Sequence, residues 1–208
     1  MLNIAVFGSG RGSNFGSILN AIEAGTLPEI RIACVVSNNS AAGILDIARS
    51  RALPALHLSR KQFGTDDEFA SRLLSLLEQH NVGLILLAGY MKLVPSRVIE
   101  RYRNRILNIH PALLPKFGGP GMYGMRVHTA VIAAGERESG ATIHLVDEEY
   151  DRGPILLQKH VPVRPGDTPE ALAARVLAVE HELYPEALRR IAEGEILLPD
   201  AMRESNHA

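Results

Sequence analysis

The chain has 208 residues, of which 46% are hydrophobic and 22% charged, and its formal net charge is -1. This length fits one domain with a sizeable core, and the composition excludes a disordered or collagen-like chain. The balanced charge disfavours a nucleic-acid binder, and the single cysteine, Cys34, excludes an internal disulfide and a multi-cysteine metal cluster.

The amino-terminal residues lack the charged region and cleavage pattern of a secretory signal peptide. The most apolar run, 82–88, is far shorter than the roughly 20 residues that a membrane-spanning helix needs. We therefore expect a cytoplasmic protein that has no membrane partner and no nucleic-acid partner. The composition suits a monomer or a weak homodimer.

Short apolar runs alternate with segments of helical periodicity through the first 110 residues. The run at 2–7 is a buried-strand pattern that ends in a glycine-rich turn. Ser13 or Asn14 is placed to cap the helix that follows, and Gly25 is its natural stop. A capping box at Thr65 opens a further helix. The other predicted elements are strands at 30–36, 55–58, 83–88 and 106–110, and helices at 42–51, 65–79 and 97–102.

The pattern changes after residue 110. A loop rich in Pro and Gly at 111–124 is followed by a predicted helix at 127–134. Two strand-like segments, 142–146 and 155–163, are joined by an acidic turn. The sequence Thr168-Pro169-Glu170 then opens a long helix with a cap, a proline in the first turn and an early acid.

This order of elements predicts an α/β fold with a doubly wound, mostly parallel, Rossmann-like sheet and helices on both faces. Right-handed crossovers would place the carboxyl ends of the strands, and hence a ligand crevice, along one edge. We expect one domain over 1–208, with a phosphate-binding α/β half at 1–110 and a catalytic-loop half at 111–195. The polar end from Leu197 to Ala208 is expected to be partly disordered.

The glycine-rich turn at 8–14 joins the first predicted strand to the first helix. Glycines allow close backbone approach, and the amide groups of a helix N-terminus favour a phosphate. A dinucleotide-binding loop would have a third glycine where Ser13 stands, and an ATP-binding P-loop would contain a lysine. A phosphomonoester is therefore the natural ligand, and a plain tight turn is the alternative.

Asn108 and His110 lie two residues apart on a predicted strand, so both side chains project from the same face at its carboxyl end. An amide donor beside an imidazole suits the stabilisation of negative charge on a carbonyl oxygen under attack. Asp147 or Asp151, in the acidic turn, is placed to orient the imidazole and raise its pKa so that it donates a proton near neutral pH. A hydrogen-bonded histidine that closes a strand is the structural alternative.

Several other short sequence motifs accompany this strand. The set is highly specific for one protein family, although no single motif would be. With them, the chain resembles the family of formyltransferases that use 10-formyltetrahydrofolate, and the likeness covers nearly the whole chain. It is greatest to the members that formylate glycinamide ribonucleotide in purine synthesis. The segments are Gly-Arg-Gly-Ser-Asn at 10–14, Leu-Ala-Gly-Tyr-Met at 87–91, Leu-Asn-Ile-His-Pro-Ala-Leu-Leu-Pro at 107–115, Gly-Ala-Thr-Ile-His at 140–144, Asp-Arg-Gly at 151–153 and Glu-His at 180–181.

The resemblance implies that the amine of glycinamide ribonucleotide attacks the formyl carbon of 10-formyltetrahydrofolate, with no metal and no covalent intermediate. It implies that Asn108 and His110 stabilise the resulting oxyanion while Asp151 assists His110. Cys34 is expected to be a buried small residue outside the chemistry. The resemblance also implies that the phosphate of the ribonucleotide is bound by Gly12, Ser13 and Asn14. Glu180 is implied to contact its ribose, and the alternative for Glu180 is an exposed position on a solvated helix face.

The resemblance implies that the folate pocket is lined by the backbone of Met91, Lys92, Leu93 and Val94, together with Asn108. The turn at 147–153 is expected to close over this pocket. Plain core packing is the alternative for the segment 91–94. His144 is implied as a partner of the catalytic loop that supports Asn108, His110 and Asp151.

Two departures from the family pattern stand out. Relatives often carry a basic residue near the start of the helix at Thr65, where this chain has Asp66 and Asp67, so Lys61 or Lys92 is expected to contact the folate tail instead. The glycine-rich loop 117–126 is longer than the corresponding loop of some family members. It is expected to be either a lid over the site or a surface excursion.

Three other functions are weighed against the transferase. A methionyl-tRNA formyltransferase would need an additional RNA-binding domain, and a formyltetrahydrofolate hydrolase usually has an amino-terminal regulatory domain. A non-catalytic nucleotide or folate binder on the same scaffold would leave the set of Asn108, His110 and Asp151 unexplained.

Overall fold

The structure, a computed structural model, describes residues 1–199, so most of the polar end predicted to be partly disordered lies outside it. A single seven-stranded sheet has the order β3-β2-β1-β4-β5-β6-β7. Strands β1 to β5 are parallel, whereas β6 pairs antiparallel with both β5 and β7. The strands are β1 Leu2–Phe7, β2 Ile30–Ser37, β3 Ala55–His57, β4 Leu84–Leu87, β5 Ile106–His110, β6 Glu138–Leu145 and β7 Ile155–Pro162.

Helices cover both faces of the sheet, as predicted. Alternate residues of β1 enter opposite cores: Ile4 packs with α1, α2, α5 and α6, and Phe7 packs with α3 and α4. No helix among residues 1–199 is long and apolar enough to cross a membrane. The helices are α1 Ser13–Glu23, α2 Gly43–Ser50, α3 Asp66–Gln79, α4 Ser96–Arg101, α5 Met125–Ala133 and α6 Pro169–Ala192, with a 3-10 turn at Arg60–Gln62.

Two local predictions are wrong. Helix α1 is capped by Gly12 in the left-handed conformation (φ 81°), with no side-chain cap, instead of by Ser13 or Asn14. Strand β6 begins at Glu138 and not at residue 142, because Gly140 allows β7 to approach: a Cβ there would lie 2.1 Å from the Lys159 carbonyl oxygen.

Other predictions are confirmed. β1 and β5 have the predicted bounds, and the Thr65 capping box and the Thr168 cap are both formed. Cys34 is fully buried in the sheet, and this burial raises the pKa of its thiol to about 12. The thiol is therefore not a nucleophile near neutral pH.

Candidate active site

The crevice of the sheet lies where the strand order reverses, between β1 and β4. The glycine-rich loop at 8–12 leaves β1, and the segment at 88–95 leaves β4 beside it. Gly8 marks their close approach, because a Cβ there would lie 3.0 Å from the Ala88 carbonyl oxygen. Asn108, near the carboxyl end of the neighbouring strand β5, lies directly opposite Leu87. The topology therefore gathers three sequence-predicted segments at one edge.

The first turn of α1 presents free backbone donors to this crevice. Gly12 leaves the turn without a side-chain cap and the helix has no acidic residue in its first turn, so no side chain of α1 itself neutralises its positive end. Ser13 is exposed, whereas the side chain of Asn14 is buried. Among the described residues, this turn has the features that an anion site on a helix requires.

Glu180 lies against this turn. Its carboxylate accepts a hydrogen bond from Asn14 Nδ2 at 2.6 Å, and the residue is only 8% exposed. Burial raises the pKa of Glu180, and the bond from Asn14 opposes this shift. One turn further along α6, the hydroxyl of Tyr184 donates to the Leu87 carbonyl oxygen at 3.0 Å and fixes the helix to the crevice. The interpretation of Glu180 as a solvated helix residue is therefore wrong.

The register of β5 and β6 pairs Asn108 with His144 and His110 with Thr142. Nδ2 of Asn108 donates to Nε2 of His144 at 3.0 Å. Nδ1 of His144 in turn donates to the Leu145 carbonyl oxygen at 2.8 Å, which leaves Nε2 as the acceptor. His144 thus holds the Asn108 amide in place.

Asp151 brings the acidic turn into the same cluster, and it does so from a left-handed backbone conformation (φ 55°). Its Oδ2 accepts from the Gly119 amide at 2.9 Å and lies 3.5 Å from Nδ1 of His110. Its Oδ1 lies 3.4 Å from Nδ2 of Asn108 and 3.5 Å from Nε2 of His144. Of the two aspartates that the sequence left open, the structure therefore places Asp151 beside the imidazole.

Asp147 has a different role within the turn. Its carboxylate accepts from the backbone amide of Glu149 at 2.9 Å. Only glycine fits at position 153, where the turn returns to the sheet, because a Cβ there would lie 1.9 Å from the Leu145 carbonyl oxygen. Asp147 and Gly153 thus shape the turn that carries Asp151.

The electrostatics of the pair differ in part from expectation. Burial alone would raise the pKa of Asp151, but the neighbouring His144 ring, the charge of His110 and the Gly119 amide together lower it, so Asp151 is a carboxylate at neutral pH. Burial lowers the pKa of His110, and the opposing effects of Asp151 and the Phe117 carbonyl do not cancel it. Asp151 thus raises the pKa of His110, as predicted, but the larger effect of burial makes the net shift downward.

The first part of the glycine-rich loop packs directly on this cluster. Nε2 of His110 donates to the Phe117 carbonyl oxygen at 2.8 Å, and Gly119 donates to Asp151. A Cβ on Gly118 would lie 2.5 Å from a methyl carbon of Leu114. The interpretation of this segment as a mere surface excursion is therefore wrong for residues 117–119.

The segment 91–94 is a loop beside the cluster, and it lines a cavity of about 170 Å³ together with Asn108 and Asp151. Met91 is 50% and Leu93 57% exposed, whereas Val94 is buried. Core packing thus accounts for Val94 alone. The exposed apolar side chains give the cavity an apolar wall with polar groups at one end, as in small-molecule sites.

A second cavity, of about 690 Å³, shares Lys92 with the first cavity and is also lined by Lys61. Two further cations, Arg60 and Arg97, line this cavity and are marked by no sequence motif. Arg60 pairs with Asp66, and Arg97 pairs with Asp67 at 2.5 Å, so the two unusual acids hold arginines that come from outside α3. Sequence spacing does not reveal these pairs, because they depend on how the 3-10 turn and α4 pack beside α3.

The fold and this site define a class of protein, which comparison with known proteins identifies. The formyl transferase family model matches residues 2–188, and the chain belongs to this family. Among curated relatives, phosphoribosylglycinamide formyltransferase of Haemophilus influenzae is 38% identical over 96% of this chain and 92% of its own length.

The chloroplastic phosphoribosylglycinamide formyltransferase of Arabidopsis thaliana is 46% identical over 93% of this chain. The chain spans 66% of the length of that plant protein. A crystal structure of glycinamide ribonucleotide transformylase 1 from Symbiobacterium toebii superimposes with a TM-score of 0.87 at 40% identity, over 95% of this chain and 90% of that one. These similarities confirm the predicted fold and the predicted formyltransferase family.

Gly12 provides a test of the helix-capping loop. Gly12→Ala is expected to destabilise the protein by about 1–3 kcal/mol, because its φ of 81° strains any other residue and its Cβ would lie 2.8 Å from Cα of Ile44. Thermal unfolding measures the loss. Gly10→Ala is the matched control, since no atom lies within 4 Å of a Cβ there. Equal melting temperatures for the two variants would contradict the assigned backbone role.

Proposed function

We propose that this protein transfers the formyl group of 10-formyltetrahydrofolate to the amine of glycinamide ribonucleotide, forming N-formylglycinamide ribonucleotide in purine biosynthesis. The carrying observation is the cluster of Asn108, His110 and Asp151, which lies between an uncapped helix N-terminus and a partly apolar cavity. The names of the relatives support formyl transfer to the ribonucleotide.

The ribonucleotide occupies the side of the crevice nearest α1. Its phosphate accepts hydrogen bonds from the first-turn region at Gly12, Ser13 and Asn14. Glu180, held by Asn14 at 2.6 Å, offers its other carboxylate oxygen to the ribose hydroxyls. A buried carboxylate with few other partners forms strong bonds to hydroxyl donors. This arrangement directs the amine of the ribonucleotide toward β5.

The folate occupies the cavity at 91–94. Its pteridine lies between the exposed apolar side chains of Met91 and Leu93 and makes hydrogen bonds to the backbone from Lys92 to Val94. The second cavity receives its anionic tail, where Lys61 and Lys92 join the ion-paired Arg60 and Arg97. No metal takes part in the reaction that we propose.

The reaction forms one carbon–nitrogen bond and breaks another. The substrate amine attacks the formyl carbon, and the carbonyl π electrons move to the oxygen of a tetrahedral intermediate. When the carbonyl re-forms, the bond to N10 of the folate breaks, and N10 takes up the proton that the amine loses. The protein must stabilise the oxyanion and provide a route for this proton.

Asn108 and His110 are the donors for the oxyanion. The contact of Asn108 with Asp151, at 3.4 Å, is long and weak, so that amide hydrogen is readily redirected. Nε2 of His110 already donates to a carbonyl oxygen, that of Phe117, and the formyl oxygen replaces it as the acceptor. Both residues line the cavity in which we place the formyl group.

Asp151 completes the arrangement on the other side of the ring. With the proton of neutral His110 on Nε2, Nδ1 faces the Asp151 carboxylate at 3.5 Å. A second proton on Nδ1 would meet this carboxylate, so the imidazolium is stabilised just when charge develops on the oxyanion. Burial keeps the resting ring neutral, and a water held by Asp151 relays the proton from the amine to N10.

A product assay with and without glycinamide ribonucleotide tests the function. We expect tetrahydrofolate release from 10-formyltetrahydrofolate only when the ribonucleotide is present, with one formylated product formed for each tetrahydrofolate. Release without the ribonucleotide would instead establish a hydrolase. Absence of release under both conditions would overturn the transferase assignment and favour a sister formyltransferase or a binding protein.

Glu180→Gln tests the ribose contact. The change keeps the shape of the side chain but removes its charge, so the KM for glycinamide ribonucleotide is expected to rise about 10-fold or more, the range for a hydrogen bond to a charged group. The KM for the folate should change little. Glu182→Gln is the control, because Glu182 is exposed and pairs with Lys159. Equal KM values for both variants would remove Glu180 from the site.

A further inference from the structure

The side chain of Ser9 joins three loops at the point where the strand order reverses. Its hydroxyl donates to Oδ1 of Asn38 at 2.5 Å, in the loop after β2. The same oxygen accepts from the backbone amide of Met91 at 2.8 Å, in the loop after β4. The Ser9 amide also donates to the Gly89 carbonyl oxygen at 3.0 Å. Ser9 itself belongs to the loop after β1, three residues before Gly12.

These bonds connect the two substrate regions by a short path. On one side, Ser9 continues through the glycine loop to the first turn of α1. On the other side, Met91 is the first residue of the segment that borders the folate cavity. Among the described residues, the Ser9 hydroxyl is the partner of the Met91 amide, so the position of residue 91 depends on the position of the glycine loop.

We propose that Ser9 is a positioning residue that couples the binding of the two substrates, an inference that rests on the proposed function. A phosphate at Gly12–Asn14 fixes the glycine loop, the loop fixes Ser9, and Ser9 fixes the backbone of Met91 against the pteridine. Binding of either substrate thereby strengthens binding of the other. Because such coupling is reciprocal, both substrates gain the same factor in affinity.

Tetrahydrofolate and glycinamide ribonucleotide are suitable probes, because neither carries a formyl group and the two therefore do not react with each other. Isothermal titration measures the Kd of each ligand with and without a saturating amount of the other. In the wild type we expect each to tighten the other about 5-fold or more, the lower end of ordinary coupling. In Ser9→Ala we expect this factor to fall below about 2-fold, whereas each ligand alone binds nearly as before.

Two further variants make the test specific. Ser9→Thr retains the hydroxyl and is expected to retain the coupling. Ser50→Ala removes a serine hydroxyl from α2, where its partner is the Ile47 carbonyl oxygen of its own helix, and is expected to leave the factor unchanged. Thermal unfolding of each variant confirms that the protein is folded at the temperature of titration.

The outcomes separate the two proposals. If both ligands bind the wild type independently, or if Ser9→Ala shows the full wild-type factor, the coupling through Ser9 is overturned while the proposed function stands. Loss of coupling in both Ser9→Ala and Ser9→Thr overturns the role of the hydroxyl. If neither ligand binds the wild type, the proposed function is overturned, and the coupling with it.

Discussion

Replacement of His110 by alanine is expected to lower kcat by about 10²-fold or more, the scale observed when a single oxyanion donor is removed. The ring contributes both the Nε2 donor and the site that receives a proton opposite Asp151. Because both act on the intermediate more than on the bound substrates, the KM values should change much less than kcat. Steady-state assays of tetrahydrofolate release measure the effect.

His160→Ala is the matched control for this experiment. His160 is exposed on β7, where it faces Glu138, and its loss should leave kcat near the wild-type value. A His110→Ala protein that is folded and turns over within about threefold of the wild type would exclude His110 from the chemistry. In that case Asn108 would be the principal oxyanion donor.

The candidate site shows which features a sequence can predict. Asn108 and His110 were predicted to share a face because side chains alternate along a strand. The apolar run at 83–88 predicted a strand covered on both faces, and β4 has this environment. Thr65 and Thr168 were predicted as caps because their partners lie within three residues along the chain. All of these depend on local geometry.

Other features of the site depend on contacts that sequence patterns do not encode. The contact of His110 with Phe117 uses a backbone carbonyl, which has no sequence signature. The net pKa of His110 depends on a balance between burial and the charge of Asp151, and the sign of this balance requires coordinates. The pairing of Arg97 with Asp67 joins different helices and followed from no motif.

Replacement of Asp151 by asparagine is expected to have an effect of similar size, about 10²-fold or more in kcat. Asparagine keeps the shape and can still accept from the Gly119 amide, but it removes the negative charge beside Nδ1 of His110. The imidazolium is then disfavoured at the moment when the oxyanion forms. Glu148→Gln is the control, since Glu148 is an exposed acid of the same turn.

The pH dependence of His110 separates an electrostatic role of Asp151 from a structural one. The Asp151 charge raises the pKa of His110 against the larger effect of burial, so Asp151→Asn is expected to lower the midpoint of the His110 titration in NMR spectra. Glu148→Gln should leave this midpoint in place. If kcat falls in Asp151→Asn while the midpoint is unchanged, the carboxylate acts by shaping the turn and holding residues 117–119, and the stabilisation of the imidazolium must come from elsewhere.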